Sequence, residues 1–212
     1  MAQRVSTRGP LTRSEIVDAA LALAEEQGLE ALSLHKIAAA LGVAAMSLYN
    51  HLADKNDLLD RMADAILDGV VLPDAIDDLE WTEGLRELGR AFRAAALQYP
   101  RSSMLALTRR PNSPSALRLA EATLGLLHRG GFDPAMSVRL LRVFVAFLSG
   151  ALLREVTLSS DVTAPRTDGL PHVAEAADAL TVIDHAAEFE FALDLMATAL
   201  HGCPRSKPPM LH

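Results

Sequence analysis

Apolar residues recur along this chain every three or four positions, and almost nowhere at every second position. Ile16, Ala19, Ala20, Leu23 and Ala24 form the stripe of a first helix. Thr12 and Glu15 stand before it at capping-box spacing, where hydroxyl and carboxylate each satisfy an orphan backbone N–H. Gly28 fits a left-handed stop after it. Ser33 is placed to cap a second helix carrying Ile37, Ala38 and Leu41, which Gly42 ends. A short third helix is expected over 45–51, with Val43 and Leu48 facing inward. Asp54 and Asp57 are placed to cap a fourth, whose buried side is Leu58, Leu59, Met62 and Ile66. Pro73 and the acidic stretch 74–80 close it.

More helices are expected beyond this point, at about 82–98, 101–109, 114–129, 134–158, 172–180 and 184–201. Ser113-Pro114 and Asp133-Pro134 each place an N-cap before a proline at the first helical position. Residues 159–171 are rich in Ser, Asp, Thr, Pro and Gly and suggest a loop. The pattern predicts an all-α fold, since strand alternation and hairpin dipeptides are missing from the sequence. Four parts are expected: a flexible basic arm over 1–10, a first helical domain over 11–72, a larger one over 73–202, and a tail over 203–212.

Composition narrows the class. The chain has 212 residues, is 50% hydrophobic and carries a net charge of −7, so it is globular, and its overall charge does not drive it onto nucleic acid. A single cysteine, Cys203, allows no internal disulfide and suits a reducing cytoplasm. The N-terminus, with Arg4, Arg8 and Arg13, has no apolar core of a signal peptide behind it. The longest uncharged apolar run, 143–153, is too short to span a bilayer, so no membrane partner is expected. The motifs of nucleotide-binding loops, serine hydrolases and zinc peptidases are missing from the sequence, and no acid–base pair lines up at helical spacing. These features argue against an enzyme. A helical interaction or scaffold protein remains open.

The informative segment is 34–52: a helix, a turn at Gly42 between Leu41 and Val43, and a short helix. That is helix-turn-helix spacing, although a plain corner in a helical bundle shares it. Ile37, small Ala38 and Leu48 can lock the pair together. The third helix is then left with an outer face of Ala45, Met46, Ser47, Tyr49, Asn50 and His51, which fits a DNA major groove. The charge balance pulls the other way. Residues 1–61 hold six basic side chains (Arg4, Arg8, Arg13, Lys36, Lys55, Arg61) against eight acidic ones (Glu15, Asp18, Glu25, Glu26, Glu30, Asp54, Asp57, Asp60). Any positive face must be narrow.

In its wider context the segment resembles the DNA-binding domain of the tetracycline-repressor (TetR) family over residues 11–71. The resemblance is carried by Gly42-Val43, by Leu48-Tyr49 with His51, and by Asp54-Lys55 ahead of Leu58-Leu59. The stretch 99–111 (YPRSSMLALTRRP) and His128–Phe132 (HRGGF) resemble the family's ligand-binding domain more weakly. The resemblance implies a ligand-responsive transcriptional regulator, most simply a repressor released from a palindromic operator by a small molecule. It places Ser47, Tyr49 and Lys55 on DNA phosphates, with His35, Ala45 and Met46 at positions that face bases. Asn50 can pair with adenine. Arg4 and Arg8 can follow the backbone or enter a minor groove.

It further implies a homodimer built from the helices at about 134–158 and 184–201. Val143 to Leu153 is apolar around its circumference and needs cover on all sides. It implies an effector cavity, for which Met104, Leu105, Arg109, Leu127, Phe144 and Phe147 are the candidate lining. Where the family's tetracycline sensors hold a magnesium–drug chelate, this chain has Ala106 and Arg154, which offer no hard oxygen ligand. No metal or cofactor is therefore expected. The effector is expected to be apolar or anionic, with Arg109 or Arg110 as counter-charge. The fourth helix, lacking interior Gly or Pro until Gly69, is expected to transmit the signal as a lever.

Overall fold

The computed structural model describes residues 10–109, 113–158, 166–203 and 205. The arm with Arg4 and Arg8, Arg110, most of the 159–171 loop and most of the tail lie outside the described residues. Ten α-helices and no strand occur among the described residues, so the all-α expectation holds. In chain order they are α1 (Arg13–Gln27), α2 (Leu34–Leu41), α3 (Ala45–Leu48), α4 (Lys55–Asp68), α5 (Trp81–Ala96), α6 (Ser103–Thr108), α7 (Pro114–Arg129), α8 (Pro134–Thr157), α9 (Pro171–Glu175) and α10 (His185–His201).

Local chemistry sets most helix starts. Thr12 and Glu15 form the complete capping box. Ser33, Asp54, Asp133 and Asp184 each accept a backbone N–H of the first turn that follows them. The Glu80 carboxylate takes the Thr82 N–H at 2.8 Å ahead of α5. Burial pushes the Glu80 carboxyl up, but the Thr82 hydroxyl and N–H, the Glu83 N–H and the field of His201 outweigh it, and its pKa is lowered. Gly42 ends α2 in the left-handed conformation, φ 67° and ψ 32°, with the Val43 N–H reaching back to the Ala38 carbonyl at 3.0 Å. Gly28 also has positive φ, 87°, but at ψ 154° it lies outside the left-handed helical region. It leads into a 3₁₀ turn at Leu29–Ala31 that the pattern did not predict.

The chain groups into two compact units. One comprises residues 1–70 and 95–117, the other 71–94 and 118–212. In the first, α1 packs on α2 and α4, α2 on α3, and α4 on α6. Its core includes Ile16, Ala20, Leu21, Ile37, Leu48, Leu58, Met62 and Ile66. On α1, Val17 and Leu21 are buried where the stripe had named Ala19 and Leu23, which are half-buried. The covered arc is wider because α1 is flanked by α2, α4 and the 3₁₀ turn together. On α4, Ala63 and Leu67 are buried while Leu59 is half-buried.

In the second unit, α5 is crossed closely by three partners. A Cβ on Gly84 would collide with Leu126 of α7, and one on Gly89 would sit 2.9 Å from Leu193 of α10 and 3.4 Å from Phe144 of α8. Glycine inside a helix costs about 1 kcal/mol against alanine, and here it admits neighbouring side chains. Ion pairs flank the crossings. Arg86 holds Asp194 at 2.8 Å, Arg90 holds Glu190 at 2.8 Å, and Arg93 is bidentate to Glu155. Hydrogen bonding to Glu190 raises the Arg90 pKa, and that to Glu155 raises the Arg93 pKa, in each case against the cost of burial.

The glycines of this unit should respond in opposite directions. Gly84→Ala is expected to lower stability by about 1–3 kcal/mol through overpacking. Gly125 of α7 has open space where a Cβ would stand, so Gly125→Ala is expected to raise stability by up to about 1 kcal/mol through helix propensity alone. Chemical denaturation of both variants against the parent chain measures the two signs.

Candidate nucleic-acid interface and sensor elements

The helix-turn-helix is assembled as the 34–52 pattern requires. Leu48 is fully buried beneath α3, and Ile37, Ala38 and Leu41 of α2 are buried against it and α1. The α-helical part of α3 covers Ala45–Leu48 only, shorter than the expected 45–51. Tyr49 keeps right-handed helical angles, φ −67° and ψ −15°, and the His51 and Leu52 N–H groups both reach the Leu48 carbonyl at 2.9 Å. The chain therefore tightens through 49–51 and keeps its trajectory, because Leu52 must return to the core, where it is 2% exposed.

The outer surface is left free by this packing. Met46 is 76% exposed and Tyr49 52% exposed, large side chains that ordinary burial would have claimed. Asn50 and His35 are exposed, and Ala45, Ser47 and His51 are half-buried. The His51 carbonyl accepts from Arg13 Nε at 3.3 Å, which ties the end of this segment to the start of α1. Lys55 opens α4 and donates to the Leu32 carbonyl at 2.9 Å. An ammonium carries three donors, so this bond pins the stem and leaves two for an anion. Met46, Tyr49 and Asn50 share one surface, whereas His35 stands on α2.

Several of the acidic side chains that weighed against a positive face are hydrogen-bonded or paired within this unit. Glu15 belongs to the α1 cap, and the Glu25 carboxylate accepts the Arg101 N–H at 3.0 Å. Asp57 accepts from the Ala53 N–H and pairs with Arg61, both at 3.1 Å. Asp60 receives Arg109 Nη1 at 3.0 Å, and Asn56 Oδ1 receives the other terminal nitrogen at 3.3 Å. Asp64 caps the start of α7 through the Ser115 N–H at 3.1 Å. These bonds fasten the 95–117 segment to α1 and α4. Sequence reasoning missed Asn56, Asp60, Asp64 and Arg101, because pairs dozens of residues apart leave no periodic trace.

The candidate effector residues divide between the units. Met104, Leu105 and Arg109 belong to the first, with Leu105 buried and Arg109 held on α4. Leu127, Phe144 and Phe147 belong to the second. Leu127 and Phe144 line a cavity of about 20 Å³ with Leu85, Leu140, Met196 and Leu200. Phe147 faces a wider groove of about 340 Å³ between α8 and α10, shared with Gly150, Arg154, His185, Glu188 and Phe189. Among the described residues no cluster of three or more His, Cys, Asp or Glu is placed to hold a metal. Ala106 is buried and Arg154 is exposed.

Helix α8 is long and apolar enough to cross a bilayer, although its uncharged run is short. Most of it is left unburied within this chain. Val143, Val145 and Leu153 on α8 and Phe191 and Leu195 on α10 are exposed.

Comparison with known proteins accounts for both halves. Residues 16–62 match the family of bacterial regulatory proteins of the tetR type, and residues 72–201 match the tetracyclin repressor-like C-terminal domain. The class A tetracycline repressor of transposon 1721 from Escherichia coli is 32% identical over 90% of this chain and 90% of its own length. A crystal structure from Streptomyces coelicolor A3(2), described as a possible TetR family transcriptional regulator, is 32% identical with a TM-score of 0.79, covering 90% of this chain and 99% of that one. ActR of Streptomyces coelicolor, solved in complex with actinorhodin, is 26% identical with a TM-score of 0.78 over 92% of this chain and 98% of its own. With both domains matched and the helix-turn-helix in place, this chain belongs to the tetracycline-repressor family of bacterial regulatory proteins.

Proposed function

We propose that this protein is a transcriptional repressor that binds a palindromic DNA operator as a homodimer and releases it when a small molecule binds. The observation that carries the proposal is the free surface of Met46, Tyr49 and Asn50 above a fully buried Leu48, in a chain of this family. Ser47, Tyr49 and Lys55 take phosphates. The Lys55 ammonium at the start of α4 adds its charge to the favourable end of the helix dipole. Asn50 reads adenine, and Ala45 and Met46 contact thymine methyls. His35 approaches from α2. The half-buried His51 supports the segment through Arg13. Without a bidentate arginine or glutamine on α3, the operator preference differs from that of the tetracycline repressors.

The partner of the exposed α8 and α10 surfaces is a second copy of this chain. Helix-turn-helix proteins read two half-sites through their own two-fold symmetry, and an apolar helix of this length left open to water needs cover. The effector is an apolar or anionic small molecule. The relative solved with actinorhodin supports a small-molecule ligand for this chain. Leu127, Phe144 and Phe147 are the proposed lining. A drug-sized ligand needs about 300 Å³ or more, so one lined by all three must displace side chains between the cavity of about 20 Å³ at Leu127 and Phe144 and the groove at Phe147. Arg109, already on Asp60 and Asn56, holds α6 to α4 rather than meeting an effector's charge, and Met104 and Leu105 lie on that same helix. Movement of α4 then reaches the DNA surface as a lever, since α4 runs from Lys55 to Asp68 without interior Gly or Pro.

Two sets of variants test this. Tyr49→Ala and Lys55→Ala are expected to weaken binding to all duplexes alike, Lys55→Ala also lowering the salt slope by about 1, whereas Asn50→Ala costs about 1–3 kcal/mol at one base pair. Loss of sequence preference in Tyr49→Ala with none in Asn50→Ala would invert the roles. Phe191→Glu combined with Leu195→Glu is expected to sediment as a folded monomer that no longer binds a full operator. A dimer surviving that change would overturn the α8–α10 interface.

A further inference from the structure

Beyond the end of α10 the chain comes back to the start of α5. Arg205 sets its guanidinium carbon 5.1 Å from the centre of the Trp81 ring and 4.7 Å from that of Phe132. Its Nη1 donates to the Gly130 carbonyl. Trp81 is the first residue of α5, while Gly130 and Phe132 form the corner between α7 and α8. The two rings meet edge to face at 5.7 Å, and His201 of α10 stacks on the indole at 5.3 Å.

The walls of this site are fixed by packing. Phe132 is 2% exposed and Trp81 9% exposed. A Cβ at Gly130 would stand 2.9 Å from the indole, so the corner accepts the ring only because that position has no side chain. Arg205 itself is exposed, so its placement is not explained by burial. Two aromatic rings and one carbonyl oxygen converge on a single cationic group. Aromatic faces attract a cation through their quadrupole. A guanidinium suits them better than an ammonium, because it is planar, weakly hydrated and able to stack while donating an N–H in its own plane.

We propose that Trp81, Phe132 and the Gly130 carbonyl form a guanidinium-binding site that the chain fills with its own Arg205. The ligand class is an arginine side chain or another alkyl guanidinium. Occupation by Arg205 fastens the segment after α10 across the start of α5 and the α7–α8 corner, and closes the site to other cations. No residue of this site is among those proposed for the DNA surface or the effector lining.

Trp81 is the chain's single tryptophan, so its emission reports on this site alone. In full-length Arg205→Ala, with unchanged circular dichroism, Trp81 emission is expected to shift to the red and acrylamide quenching to rise. N-acetyl-arginine amide should return the quenching to the parent value along a saturating curve. N-acetyl-lysine amide at equal concentration should return much less, and neither should alter the parent protein. Arg205→Lys should quench like Arg205→Ala. Parent-like quenching in Arg205→Ala or Arg205→Lys, or a response that fails to saturate or is equal for the two amides, would overturn the proposal.

Discussion

Helix α4 must satisfy two incompatible sides at once. One buries Leu58, Met62, Ala63, Ile66 and Leu67, while Asp57, Asp60, Asp64 and Asp68 recur along it. Carboxylates beside a packed surface are costly unless they are paired or hydrogen-bonded. Arg61, Arg109 and Ser115 supply that pairing for the first three, and the Ser115 hydroxyl reaches Asp68 at 3.5 Å. The consequence is architectural. Residues 95–117, distant in sequence, join the helix-turn-helix unit because α4 needs their donors as well as their apolar cover.

This pairing also explains how an acidic domain can present a surface to DNA. Charge counted along residues 1–61 leaves out Arg109, which pairs with Asp60 from the 95–117 segment, while Glu15 and Asp54 keep their charge but are fixed at helix caps. What remains around α3 is a patch of exposed Met46, Tyr49 and Asn50 with Lys55 at the head of α4. Lys55 is itself held in place by the Leu32 carbonyl, so its position is set before any phosphate arrives. Preorganised contacts of this kind lose less side-chain entropy on binding.

The helices were legible in the sequence wherever their starts depend on neighbours. Thr12 with Glu15, Ser33, Asp54 and Asp133 all cap as their spacing predicts, because a cap is a contact across three residues. Legibility fell where burial depends on distant partners. Val17 and Leu21 are buried instead of Ala19 and Leu23 because several neighbours flank α1. The α-helical part of α3 stops at Leu48, since the return of Leu52 to the core tightens the turn after it. The outer residues of α3 were readable from a period and a glycine. The bond from Arg109 to Asp60, across 49 residues, was not.

The proposed repressor reads DNA sequence through two symmetric copies of α3. Selection of bound duplexes from a random pool by the full-length protein, followed by sequencing across a salt series, measures it most directly. The expected outcome is enrichment of an inverted repeat with half-sites centred about 10–10.5 base pairs apart or a multiple of that, bound with steep salt dependence. Failure to enrich any motif, or enrichment of a single asymmetric half-site by a monomer, would contradict it.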